Sequence, residues 1–347
     1  MSLETLNPMI SHSIARSGCL FFLCVFSLLA ISCQHQSPDL SIPEAKTGRE
    51  FLTISLDKTG NVVWRKWLES RSEAVDLGDG VILELVELPA GKFLMGMTQA
   101  EYEFYRSQSA NEFWLKTEYP QRESSVSSFS IGKYEVTRKQ WKQVAQFPKV
   151  NLDLVAIPYF ENPTNETLPM TWVDRLEAEE FCARLSVKTG RKFRLPTEQE
   201  WEYACRAGTS TPFALGESIT SQFVNFNGDS DFPTPRTDFD HGGLLPVGCL
   251  HVANAFGIYD MHGNASEWCA GDWNPLFEKE PPRYIRRLGT IRGGAFRSSA
   301  AGCRSSVRGM VPYGLFLEQD RLSPSTTTSE YRAGSGSIGF RVAVDEK

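Results

Sequence analysis

The chain is short of the residues that most cofactor and polyanion chemistries require. Histidine occurs five times in 347 residues, at positions 12, 35, 241, 251 and 262. No two stand at the His-x-x-x-His spacing that sets two imidazoles on one helix face, so a histidine-built iron centre has no material here. Lys and Arg number 36 against 42 Asp and Glu, a net charge of −6 with no basic cluster. That balance does not fit nucleic acid as a partner. No two cysteines have zinc-finger spacing. A Gly-rich phosphate loop, an internal repeat and a Ser–His–Asp arrangement are likewise missing. The apolar run at residues 20–31 is about twelve residues long, too short to cross roughly 30 Å of hydrocarbon as a helix.

That run, preceded by Arg16, fits the apolar region of a signal peptide. It ends in Ala30-Ile31-Ser32-Cys33, which resembles a bacterial lipobox, with Ala30 where Leu is more usual. On this reading Cys33 is lipidated and becomes the mature N-terminus; ordinary signal cleavage and an uncleaved anchor are the alternatives. Gln34 follows the cysteine rather than Asp, which in a Gram-negative envelope resembles sorting to the outer membrane, facing the periplasm. The expected order is a signal peptide over 1–32, a polar tether over 33–48 and a small β extension over 49–78, then the main domain over 79–347. Export places the chain in an oxidising compartment.

What the sequence does have is ordinary globular content, 41% hydrophobic and 22% charged, with 27 Gly, 19 Pro and eight Trp. These suggest a loop-rich fold pinned by aromatics. Alternating apolar residues around Lys58-Thr59-Gly60-Asn61 predict a hairpin over 51–67. Residues 81–97 read as two strands about Pro89-Ala90-Gly91, and residues 98–119 as a connection. Thr137 is placed to cap a helix at 138–146, and Asp174 to cap one near 174–189 that Gly190 ends. Thr197 and Glu200 form a capping box for a third helix, stopped by Gly208. Residues 209–250 read as a long ordered loop.

The stretch around which the rest is arranged is 254–273. Asn254-Ala255-Phe256-Gly257 and His262-Gly263-Asn264 are turns, and Asp260 and Glu267 flank the second one. Two readings of that turn stand side by side. One is a tight turn with two solvated acids. The other is a site for a hard cation such as calcium, which takes six to eight oxygens at about 2.3–2.6 Å.

Gly263-Asn264-Ala265-Ser266-Glu267-Trp268 resembles the Gly-Asn-x-x-Glu-Trp signature of the formylglycine-generating enzyme family, also called the sulfatase-modifying-factor family. Phe93-Leu94-Met95-Gly96, Glu135-Val136-Thr137, the run from Phe193 to Gly208 and Ile338-Gly339-Phe340-Arg341-Val342 resemble other motifs of the same family, in the same order. The resemblance covers roughly residues 80–345. It implies an α+β, C-type-lectin-like fold: short helices and small antiparallel sheets within much irregular chain. It also implies calcium at Asp260, Gly263, Ala265 and Glu267, the acids through carboxylates and the other two through carbonyls. A second calcium would fall at Asn225 and Phe226 with Asp238 or Asp240.

Active aerobic members of that family are copper oxidases that convert a sulfatase cysteine to formylglycine. Two thiolates hold the Cu(I), a soft ion that prefers sulfur. The second of those cysteines corresponds to Cys303 here, but the first falls on Ser298, and Ala295 replaces a serine after the double glycine. Of eight cysteines, Cys19 and Cys24 lie in the signal and Cys33 takes lipid. That leaves Cys182, Cys205, Cys249, Cys269 and Cys303, an odd number whose connectivity the sequence does not reveal. Cys182 and Cys205 match positions disulfide-bonded in some members, whose partners correspond to Arg308 and Val342. Two functions follow. One is a calcium-stabilised, envelope-anchored binding or scaffold module with a protein or glycan partner. The other is an oxidoreductase that still makes formylglycine, with copper.

Overall fold

A computed structural model describes residues 50–108, 110–154, 165–229, 239–272, 274, 288–312 and 336–346. The residues read as signal and tether, Cys33, Asp238 and Trp273 lie outside them. Among the described residues, four small sheets and five short α-helices carry the chain. The hairpin expected over 51–67 is β1 (Glu50–Leu56) paired antiparallel with β2 (Val62–Glu69). Asp57 closes its turn by accepting from the amides of Thr59 and Asn61. β3 (Ser72–Asp76) does not belong with this hairpin. It pairs with β4 (Ile82–Leu88) at the edge of the main sheet, so the expected extension 49–78 is divided between two sheets.

β4 and β5 (Gly91–Met95), the two strands read about Pro89-Ala90-Gly91, do not pair with each other. At Pro89 the chain leaves the first sheet, and β5 pairs with β6 (Arg122–Val126) in a sheet of its own. The intervening connection, read from sequence as irregular, holds α1 (Gln99–Ser107) and α2 (Glu112–Glu118). Thr98 caps α1 in a capping box with Glu101, and Asn111 caps α2. Thr98-x-x-Glu101 is a start signal that the many aromatics of this segment obscured.

The main sheet runs β3–β4–β7–β13–β8, with β7 at Phe129–Gly132, β8 at Phe193–Arg194 and β13 at Ala343–Asp345. All four residues of β7 are buried, as a central strand covered on both faces requires. Against the sheet pack α3 (Arg138–Ala145) and α4 (Arg175–Thr189), in one cluster with Leu83, Leu85 and Phe340. Trp141 stacks on Phe181 at 5.7 Å, and both meet Phe340 edge-on. Such ring pairs add about 0.5–1.5 kcal/mol each beyond the area they bury. α4 begins at the Asp174 cap and ends at Gly190, whose φ of 69° is the left-handed conformation glycine adopts without strain. α5 (Glu198–Arg206) has the expected Thr197–Glu200 capping box, but it ends on Ala207 in the left-handed region, one residue before Gly208.

The last sheet runs β11–β10–β9–β12, with β9 at Ser266–Asp272, β10 at Leu288–Arg292, β11 at Gly309–Pro312 and β12 at Ile338–Gly339. Residues 209–229 and 239–250 contain only turns and isolated bridges, as the long ordered loop predicts. Among the described residues no helix is long and apolar enough to cross a membrane.

Candidate functional site

The turns at 254–268 are built from buried polar side chains. Asn254 accepts from the amides of Phe256 and Ile258, and its side-chain amide donates to the carbonyls of Ala204 and Cys205. One asparagine thus shapes the first turn and ties it to the end of α5. The second turn has positive φ at Asp260, Gly263 and Asn264. A Cβ at Gly263 would collide with the Asn225 carbonyl, so only glycine fits there.

Glu267 is fully buried. Its Oε1 accepts from Arg341 at 2.7 Å, and its Oε2 accepts from Arg341 at 2.7 Å and Trp201 at 2.8 Å. Arg341 also donates to the carbonyls of Gly132 and Tyr259. This ion pair links β9, α5 and β7 to the segment between β12 (Ile338–Gly339) and β13 (Ala343–Asp345). Trp268, next in sequence, donates to the Val173 carbonyl. Glu267 is therefore a counter-ion to Arg341, not the solvated acid of the simpler sequence reading.

Asp260 faces a different partner, which the sequence did not suggest. Its Oδ2 accepts from the Gly248 amide at 2.6 Å, and the buried Glu135 carboxyl is a neighbour it interacts with electrostatically. Glu135 Oε1 accepts from Asn264, while its Oε2 is buried with no hydrogen-bond partner. Burial pushes the Asp260 carboxyl up to about 6 and the Glu135 carboxyl well above its ordinary range. Asn264 extends the network to Asn225, whose amide donates to Asn264 Oδ1 and the Gly243 carbonyl. Asn225 Oδ1 is itself buried and unpartnered. Phe226 lies in the core, and exposed Asp240 accepts from the Gly242 amide.

Two orphaned buried oxygens and a pair of adjoining carboxyls suit a hard cation, since an unpaired buried acceptor otherwise costs about 1–3 kcal/mol. The donor set nevertheless differs from the expected one. Asp260, Glu135 and Asn225 have oxygen to offer, whereas Glu267 is already engaged by Arg341 and Trp201. Among the described residues no three Asp, Glu, His or Cys side chains converge as a metal cluster. A cation here would depend on backbone carbonyls such as those of Gly263 and Ala265, which calcium accepts readily.

The second region is the segment from Arg292 to Cys303. Arg292 is buried, pairs with Glu202, and donates to the carbonyls of Ser305, Ser306 and Val307. A Cβ on Gly294 would press against Cys303 Sγ and the Gly302 carbonyl. Ser298 Oγ accepts from the Ala295 amide at 3.0 Å, closing a local turn. Cys303 is fully buried, and that burial pushes its thiol up to about 12. His262 Nε2 accepts from the Ala214 amide at 2.9 Å, so the proton sits on Nδ1, which donates to the Cys303 carbonyl at 2.7 Å. Burial lowers His262 to about 4 and keeps the ring neutral. This clamp on Cys303 was not foreseen; a histidine inside a turn motif gave no sign of its distant partners.

A neutral buried thiol, with a serine where the resemblance places the second thiolate, does not fit Cu(I), which needs more than one soft donor. Cys182, Cys205 and Cys269 are also buried free thiols. An open polar groove of about 680 Å³ lies elsewhere, lined by β6, Arg194, Glu200 and Asp345, with no residue of 292–303 in its wall.

Capped short helices, small sheets and long irregular loops around a charge-clamped turn define the class of this domain. The chain belongs to the family of the sulfatase-modifying factor enzyme 1-like domain, whose model matches residues 79–345. It is similar to the chaperone protein LppX of Paenibacillus barcinonensis, 28% identical over 239 residues, covering 56% of this chain and 78% of that one. It is also similar to the inactive C-alpha-formylglycine-generating enzyme 2 of Bos taurus, 26% identical over 245 residues, covering 60% and 75%. Among solved structures, PvdO from Pseudomonas aeruginosa superposes with a TM-score of 0.56 at 25% identity, over 79% of this chain and 98% of that one.

Proposed function

We propose that this chain is a non-catalytic binding or scaffold module, stabilised by calcium and tethered to the cell envelope through lipid on Cys33. The observation that carries the reading is the state of the two positions where the family's copper chemistry needs thiolates. Ser298 supplies a hard, neutral oxygen engaged with the Ala295 amide, and Cys303 is a sealed, protonated thiol. Relatives named as an inactive enzyme and as a chaperone support a role in binding. The partner would be a protein or glycan of the envelope.

Calcium would be held by Asp260, Glu135 and the carbonyls of Gly263 and Ala265, and at the second position by Asn225 with the Phe226 carbonyl. It would neutralise carboxyls buried side by side and pin irregular chain that makes few backbone ladders of its own. Three measurements test the reading. Titration of the purified domain with Cu(I) is expected to show no tight binding; stoichiometric tight binding would reject it. Elemental analysis is expected to find calcium, and its absence would remove the calcium part. Cys33→Ala is expected to move the protein from the detergent phase to the aqueous phase; aqueous partitioning of the wild type would remove the lipid anchor.

A further inference from the structure

The family match begins at residue 79, yet the hairpin that precedes it lies over Cys303. Leu52, Ile54 and Leu56 of β1 are buried in one apolar cluster with Ala300 and Cys303. The strand that inserts there is bonded along both edges. One edge pairs with β2. On the other, the Leu56 amide donates to the Leu215 carbonyl at 2.6 Å, the Glu217 amide to the Leu56 carbonyl at 3.1 Å, and the Ala253 amide to the Leu52 carbonyl at 2.9 Å. Ser218 Oγ adds a bond to the Asp57 carbonyl at 2.6 Å. The receiving loop is shaped for this approach: Gly216 has a φ of 117°, and a Cβ there would collide with the Leu56 carbonyl. β2, by contrast, pairs only with β1 among the described strands, and turns Val63 and Trp64 toward solvent.

An added strand that makes main-chain bonds to loops and sends alternate apolar side chains into pockets is the geometry by which proteins accept an extended peptide. We propose that the β1–β2 hairpin is a self-supplied occupant of a strand-accepting groove, and that it is the cap that seals the Cys303 thiol. The site belongs to the domain, while the segment filling it lies outside the family match. With the hairpin displaced, the groove would take an extended apolar segment in trans, anchored by residues spaced like Leu52, Ile54 and Leu56. This holds whether or not calcium or lipid is present.

The test is native-state thiol labelling with a maleimide, the modified positions being mapped by mass spectrometry. Partly buried Cys249 serves as the more accessible reference, and Cys182 and Cys269, buried in other clusters, as sealed ones. Ile54→Asp and, more gently, Gly216→Ala are expected to raise Cys303 labelling at least tenfold while Cys182 and Cys269 keep their wild-type rates. A synthetic peptide of residues 50–69 added to Ile54→Asp is expected to slow Cys303 labelling again. If Cys303 opens only in step with Cys182 and Cys269, or if neither variant yields folded protein, the hairpin is integral core and the proposal fails. Unchanged Cys303 labelling in both variants would likewise overturn it, because the seal would then lie elsewhere.

Discussion

Two stretches of this molecule, 260–268 and 292–303, carry the positions that the resemblance assigns to calcium and to copper, and they are held differently. In the first, charge is matched inside the protein: Glu267 against Arg341, Asn264 against Glu135, Trp268 against a carbonyl. In the second, a serine and a buried cysteine stand where the resemblance places two thiolates. Arg292 is tied to Glu202, while the Ser298 hydroxyl closes a local turn and the Cys303 side chain sits in an apolar cluster. The contrast teaches that a fold depends on its buried ion pairs and glycines far more than on the side chains at its reactive positions. Changes at Ser298 and Cys303 are therefore expected to cost less folding stability than breaking the Glu267–Arg341 pair.

Breaking the first stretch should have the largest effect. Arg341→Ala leaves Glu267 as a buried carboxylate without its cation, and is expected to cost about 3–5 kcal/mol in urea unfolding. A loss below about 1 kcal/mol would mean that the pair is not the clamp described here. Next comes calcium. A cation bound at a hundredfold excess over Kd stabilises by about 2.7 kcal/mol, so EGTA is expected to lower Tm, and Asp260→Ala or Glu135→Gln to remove most of that response. If Glu135→Gln leaves the EGTA effect intact, Glu135 is not part of the site. In the second stretch the effects are smaller. Cys303→Ala is expected to cost about 1 kcal/mol, the usual scale for trimming one small buried side chain. Ser298→Cys is expected to stay within about 0.5 kcal/mol of wild type. Ser298→Cys also sharpens the comparison chemically: if only that ligand is missing, Cu(I) binding should appear in the variant. Continued failure to bind would mean that the groove has diverged beyond position 298.

Much of the first stretch was legible because local rules govern it. The Asn254 and Gly263 turns, the Thr137, Asp174 and Thr197 caps and the β1–β2 hairpin all follow from neighbours in sequence. What stayed hidden is what distant residues supply. Nothing near Glu267 announces Arg341, 74 residues away; nothing near Asp260 announces Glu135; and His262 gives no hint that it grips the Cys303 carbonyl. Sheet membership failed for the same reason. β4 and β5 are adjacent in sequence, yet β4 lies between β3 and β7 while β5 pairs with β6 in another sheet. The missed α1 was the exception, since its capping box was present in the sequence.

The central claim is that the reactive positions no longer support the family's oxidation. The direct measurement is to load the purified domain with Cu(I) under air, offer a peptide containing Cys-x-Pro-x-Arg, and follow the peptide by mass spectrometry. The account predicts that the peptide keeps its thiol mass, with or without copper. Copper-dependent loss of mass, corresponding to conversion of the thiol to an aldehyde, would contradict it and restore the oxidoreductase reading.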